Sequence, residues 1–172
     1  KFAHGSLMGA RGNSGVILSQ ILRGFARALD DKEVMNADLL VSALAESRNT
    51  AYKGVVRPVE GTILTVIKDV ALAAEKARKK TNDLIKILKD LVQAADESVK
   101  HTPEQLPILK QAGVVDSGGK GLYIFLEGIL RFIKGEPIDI LEKEVVPLSL
   151  EQMKSEELNE SIEAGQDFEV VV

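Results

Sequence analysis

The chain has 172 residues, of which 22 are basic and 26 acidic, giving a formal net charge of −4 with 45% apolar and 28% charged types. This is the mix and length of a soluble globular domain able to bury a core without a staple. The absence of cysteine excludes a disulfide scaffold and thiolate-held metal, the two histidines are too far apart for a histidine cage, and no apolar run reaches the roughly 18–20 residues of a membrane span, so a cytoplasmic location is expected.

The first dozen residues are rich in glycine, and helical spacing begins just after them. Val16, Ile17, Ile21, Leu22, Phe25 and Leu29 predict a helix over 14–29. Asn36 is placed to cap a second, with Leu39, Leu40, Ala43 and Leu44 as its apolar stripe. Ile63, Leu64, Ile67, Val70, Ala71 and Ala74 predict a third over 61–79. Thr81 is expected to cap a fourth carrying Leu84, Ile85, Leu88, Leu91 and Val92. Thr102-Pro103-Glu104-Gln105 combines an N-cap threonine, a proline at the first helical position and a box glutamine, predicting the start of a short fifth helix that ends at Gly113. A sixth is predicted over 117–134 from Leu122, Ile124, Phe125, Ile129, Leu130 and Phe132, with Gly135 ending it.

Strand-like alternation is nearly absent and aromatics are only 4%. The expected fold is therefore all-α: an antiparallel up-and-down helical bundle or barrel of about six to eight helices with an aliphatic, alanine-rich core. From Glu136 to Val172 there are eleven acidic and two basic residues, and the rest of the chain carries a mild positive excess. Residues 136–172 are read as an acidic linker with a short helix near Ser149 to Asn159, and residues 1–135 as the helical domain. An opening at Lys1 and a closing apolar run at Phe168 to Val172 suggest an excerpt from a longer polypeptide leading into a further domain.

Three junctions differ from ordinary loops, and each precedes a helix. In Gly9-Ala10-Arg11-Gly12-Asn13-Ser14-Gly15, glycines let backbone N–H groups approach a ligand, and the helix behind adds unpaired donors and a positive dipole end. A tight turn needed only for packing is the other reading. The string is neither a Walker A loop nor a GxGxxG fingerprint. In Pro58-Val59-Glu60-Gly61-Thr62, Thr62 either caps the helix or bonds a ligand. In Val115-Asp116-Ser117-Gly118-Gly119-Lys120-Gly121, three glycines weaken the first turn by about 1 kcal/mol each relative to alanine, which implies close helix contact or backbone approach to a ligand. In an up-and-down bundle all three helix starts would lie at one end and form a polyanion pocket. His4 and His101 have no neighbour that marks either as a base.

The strings Leu7 to Gln20, Arg57 to Leu64 and Gly113 to Leu122, in this order, resemble the DhaL-type ATP-binding domain of the dihydroxyacetone kinase family, in the branch of the bacterial fatty acid kinase ATP-binding subunit. The resemblance spans about residues 5 to 135. It implies a helical barrel with nucleotide at one end, with Gly12, Asn13, Ser14 and Gly15 around the ATP phosphates, Thr62 beside the nucleotide, and Asp116, Ser117 and Gly118 along its base and sugar. It implies transfer of phosphate to a fatty acid presented by a separate lipid-binding protein. The family holds Mg2+ through an aspartate-rich loop that would fall upstream of Lys1, so no metal ligand is expected in this stretch and little turnover from it alone. Expected partners are ATP and the fatty-acid-binding protein, with no nucleic acid and no stable membrane insertion; a homodimer, if one forms, would use domains outside this sequence. The alternatives are a dihydroxyacetone kinase-type subunit and a non-catalytic helical interaction module.

Overall fold

A computed structural model describes residues 1–136 of the chain. The chain divides into two units, Lys1–Ile138 and Asp139–Val172, and the expected acidic linker and its helix lie outside the described residues. Among those described there are seven helices and no strand: α1 (Phe2–Gly9), α2 (Gly12–Ala28), α3 (Ala37–Lys53), α4 (Ile63–Arg78), α5 (Leu84–Gln105), α6 (Pro107–Ala112) and α7 (Ser117–Lys134). None is long and apolar enough to cross a membrane.

Local chemistry sets most boundaries. Asn36 Oδ1 accepts from the Leu39 N–H at 2.8 Å and starts α3, and Gly135 ends α7 with φ 69°. Two expectations are corrected. Asp83, not Thr81, caps α5 by accepting from Ile85 and Lys86; the Thr81 hydroxyl sits a step earlier and accepts from the Asp83 N–H at 3.1 Å. Thr102-Pro103 does not start a helix but lies in the last turn of α5, and the break comes at Leu106, where Pro107 opens α6. Pro103 has no N–H for the Val99 carbonyl, and the Thr102 hydroxyl supplies the missing donor at 2.7 Å. α1 was not anticipated; its eight residues bury none of their side chains, so it leaves little hydrophobic pattern.

From α2 to α5 the helices run antiparallel in sequence order, and α7, reached through the short α6, starts beside the end of α5. Asp38 at the start of α3 takes both arms of Arg78 at the end of α4, and Ser98 late in α5 donates to Asp69 early in α4 at 2.7 Å. α4 is the central helix, packed against α3, α5 and α7, and Ile63 through Ile67 are all buried. α7 faces the core along Gly119, Leu122, Leu126 and Leu130, an i, i+3, i+4 line. Ile124, Phe125 and Phe132, expected in the apolar stripe, are exposed instead, because α4 and α5 cover only one side of that helix. An apolar cavity of about 720 Å³ opens beside it, lined by Leu29 at the end of α2, Leu84 at the start of α5 and Ile133 near the end of α7, among others.

Candidate functional site

The three glycine-bearing junctions meet at one end of the bundle. A Cβ added to Gly118, in the first turn of α7, would lie 3.2 Å from Ser14 Oγ in the first turn of α2 and 3.4 Å from Ile63 Cβ, the first residue of α4. One step along, a Cβ on Gly119 would come within 2.8 Å of Val66 Cγ2 in α4. α2, α4 and α7 therefore begin side by side, and the positive ends of their dipoles point the same way.

The α2 start is the most open. Gly12 has φ +66° and free space where a Cβ would stand, and Gly12, Asn13 and Ser14 are exposed. Arg11 occupies the N-cap position without a side-chain cap; its guanidinium folds back onto the Met8 and Ala10 carbonyls. The first N–H groups of α2 thus have no intrahelical partner and face outward. Gly15 would make only ordinary contact, 3.7 Å, with the Ala10 backbone. Packing does not demand glycine there.

The other two starts are more tightly bound into the fold. The Thr62 hydroxyl donates to the Val59 carbonyl at 2.8 Å and accepts from the Leu64 N–H at 3.3 Å, so it serves its own turn. Gly61, buried with φ +80°, is wedged against α5: an added Cβ would sit 2.9 Å from the Thr102 carbonyl oxygen and 3.0 Å from the Leu106 nitrogen. Only glycine fits that conformation and that space. Asp116 Oδ2 caps α7 by accepting from the Gly119 N–H at 2.6 Å, while Ser117 is exposed. The N–H groups of Ser117 and Gly118 remain as open donors. Of the three glycines near the start of α7, Gly119 fills a packing role, Gly118 lies at the meeting point, and Gly121 has open space around it.

Sequence reasoning missed the network that holds the α4 turn. The Glu60 carboxylate accepts from Tyr52 Oη at 3.0 Å, from Thr65 Oγ1 at 2.8 Å and from the Lys68 ammonium. Thr65 Oγ1 in turn accepts from the Gly61 N–H at 2.8 Å. Burial pushes the Glu60 carboxyl up, but the hydrogen bonds from Lys68, Thr65 and Tyr52 outweigh it and hold it below its ordinary value. The signal was present as Glu60 next to the Gly61-Thr62 cap, but its partners come from two different helices.

Burial, then the hydrogen bond to Glu60, raises the Tyr52 phenol well above its ordinary value, and burial followed by the Glu127 charge raises Tyr123. A raised folded pKa means a stabilising contribution present while the phenol is neutral and lost as pH rises through the folded value. The chain has two tyrosines and no tryptophan, so tyrosinate absorbance reads both groups. Both are expected to ionise above about 10 in the folded protein, and Tyr52→Phe should remove the later step. Ionisation of both near 10 without unfolding would take Tyr52 out of the Glu60 network.

This pole presents what an anion needs: N–H groups without an intrahelical partner, exposed small side chains and glycine. Among the described residues no group of three histidine or acidic side chains could hold a metal ion, and Asp116 Oδ2 already accepts the Gly119 N–H.

A family model described as DAK2 domain matches residues 1–131. Among similar curated proteins, one from Staphylococcus aureus strain USA300 is 49% identical over 138 residues, covering 80% of this chain and 25% of that protein. One from the bovine strain RF122 is 46% identical over the same length. Both are named as uncharacterized proteins. The chain spans about a quarter of the length of these relatives.

Proposed function

We propose that this chain, which belongs to the DAK2 domain family, supplies the ATP-binding domain of a kinase that passes the γ-phosphate of ATP to a fatty acid held on a separate lipid-binding protein, giving an acyl phosphate. Membership carries the coarser statement by itself: a kinase-type, nucleotide-binding helical domain. The observation that supports the site is the meeting of Ser14, Gly118 and Ile63 at one pole.

In this reading the open N–H groups of Gly12, Asn13 and Ser14 hold the phosphates, and Gly15 keeps the first turn of α2 narrow enough for close approach. Thr62 lies beside the nucleotide as the cap of α4. Asp116, Ser117 and Gly118 line its base and sugar side. The residues described here orient the nucleotide and offer dipole and hydrogen-bond charge to its phosphates. The carboxylates for Mg2+, which would neutralise charge on the transferred group, are proposed to lie upstream of Lys1. The DAK2 name favours dihydroxyacetone as the second acceptor to consider.

Titration calorimetry of ATP with Mg2+ into the full-length protein is expected to show saturable binding. A folded full-length protein that takes up no nucleotide would overturn the kinase reading in favour of a helical interaction module. Phosphate transfer, assayed with a fatty acid on its carrier protein against dihydroxyacetone, separates the two acceptors.

A further inference from the structure

Behind the three helix starts lies a side chain that no ligand can touch. Thr102 is fully buried in the last turn of α5. Its hydroxyl hydrogen goes to the Val99 carbonyl at 2.7 Å, and its oxygen accepts the Asp116 N–H at 3.1 Å, so its bonding is complete in both senses. Its carbonyl oxygen accepts the Leu106 N–H at 3.0 Å and lies, with Leu106 Cβ, against the Gly61 turn, 2.9 Å from where a Gly61 Cβ would stand. Asp116 carries the α7 cap and Gly61 the approach to the α4 cap.

We propose that Thr102 is a positioning residue of the nucleotide site: through its hydroxyl it ties the α7 cap to the last turn of α5, the turn against which Gly61 and the α4 start are packed. The inference rests on the nucleotide reading above. The proline that follows explains why the residue is threonine. Pro103 deprives the Val99 carbonyl of its helical donor, so a hydroxyl is needed at 102, and that same hydroxyl offers its oxygen to Asp116. A valine of the same shape would leave both the Val99 carbonyl and the Asp116 N–H without a partner in a buried place.

Pro103→Ala separates the two duties, because it returns an N–H to the Val99 carbonyl. In the full-length protein with that background, Thr102→Val removes the Asp116 bond while sparing the helix ladder. The expected result is an ATP dissociation constant about tenfold weaker than for Pro103→Ala alone, and hydrogen exchange of the Asp116 amide about tenfold faster, the size of one buried hydrogen bond. Thr102→Ser should keep both within about threefold of the parent. Leu130→Ala, which thins the core at the far end of α7, serves as the comparison for lost stability alone and should leave ATP affinity unchanged.

Unchanged Asp116 exchange and affinity in Thr102→Val would overturn the assignment, as would an equal loss of affinity in Leu130→Ala. A parent protein that binds no ATP would instead overturn the nucleotide reading, and the exchange of Asp116 would still decide whether Thr102 fixes the cap.

Discussion

Gly118→Val in the full-length protein is expected to weaken ATP binding by about one to two orders of magnitude with helix content unchanged. The added Cβ would stand 3.2 Å from Ser14 Oγ, 3.3 Å from Asp116 Oδ2 and 3.4 Å from Ile63 Cβ. Contacts of that kind are tight but can be relieved by small shifts, so the helices should stay formed. The two methyl groups beyond Cβ must then occupy the space shared by the three helix starts. They would cover N–H donors of α2 and α7 that have no intrahelical partner, at a loss of roughly 1–3 kcal/mol, or about tenfold per 1.4 kcal/mol. Gly121→Ala is the matched control. Nothing lies within 4 Å of its Cβ position, so binding should persist and stability rise by up to about 1 kcal/mol from helix propensity. Calorimetric titration reads the affinity and far-ultraviolet circular dichroism the helix content. Equal binding in both variants would remove Gly118 from the site.

The largest loss of stability is expected from Gly24→Ala, where propensity predicts the opposite sign. In an exposed helix interior, glycine to alanine gains about 1 kcal/mol. Gly24 is instead where α2 meets α3. An added Cβ would lie 2.5 Å from the Glu46 carbonyl oxygen and 2.7 Å from the Ser47 Cα. Both atoms are backbone, so no side chain can rotate away and the helices must separate. Overpacking of this kind costs about 1–3 kcal/mol or more after the propensity gain. Thermal unfolding should show a midpoint lower by about 2–4 °C for each kcal/mol lost. A midpoint at or above that of the parent would mean the two helices do not approach so closely.

Much of the fold was legible in the residues. Asn36 and Gly135 read as helix ends and are helix ends, and Thr62, which reads as either a cap or a ligand contact, caps α4; each cap is satisfied by atoms no more than four positions away. The strings around Gly12 to Gly15, Thr62 and Asp116 to Gly118 stood out because glycine is costly where they place it. Two of the misreadings share one physical cause. Thr102-Pro103 has the spacing of a helix start, yet Thr102 answers to Val99 before it and to Asp116 fourteen positions later. Ile124, Phe125 and Phe132 fit an apolar stripe, but no neighbouring helix covers them.

The amino-acid order by itself determined that this protein is helical, where most of its helices begin and end, and which turns are too rich in glycine to be ordinary. Those properties come from bonds within a turn or two of chain. An up-and-down bundle already implied that the starts of α2, α4 and α7 share one end; the tertiary structure alone decided that Gly24 and Gly119 serve packing while Gly118 lies at the meeting point, and that Glu60 and Thr102 brace the turns from behind. Those facts depend on contacts between residues far apart in sequence, which a periodicity of 3.6 residues cannot record.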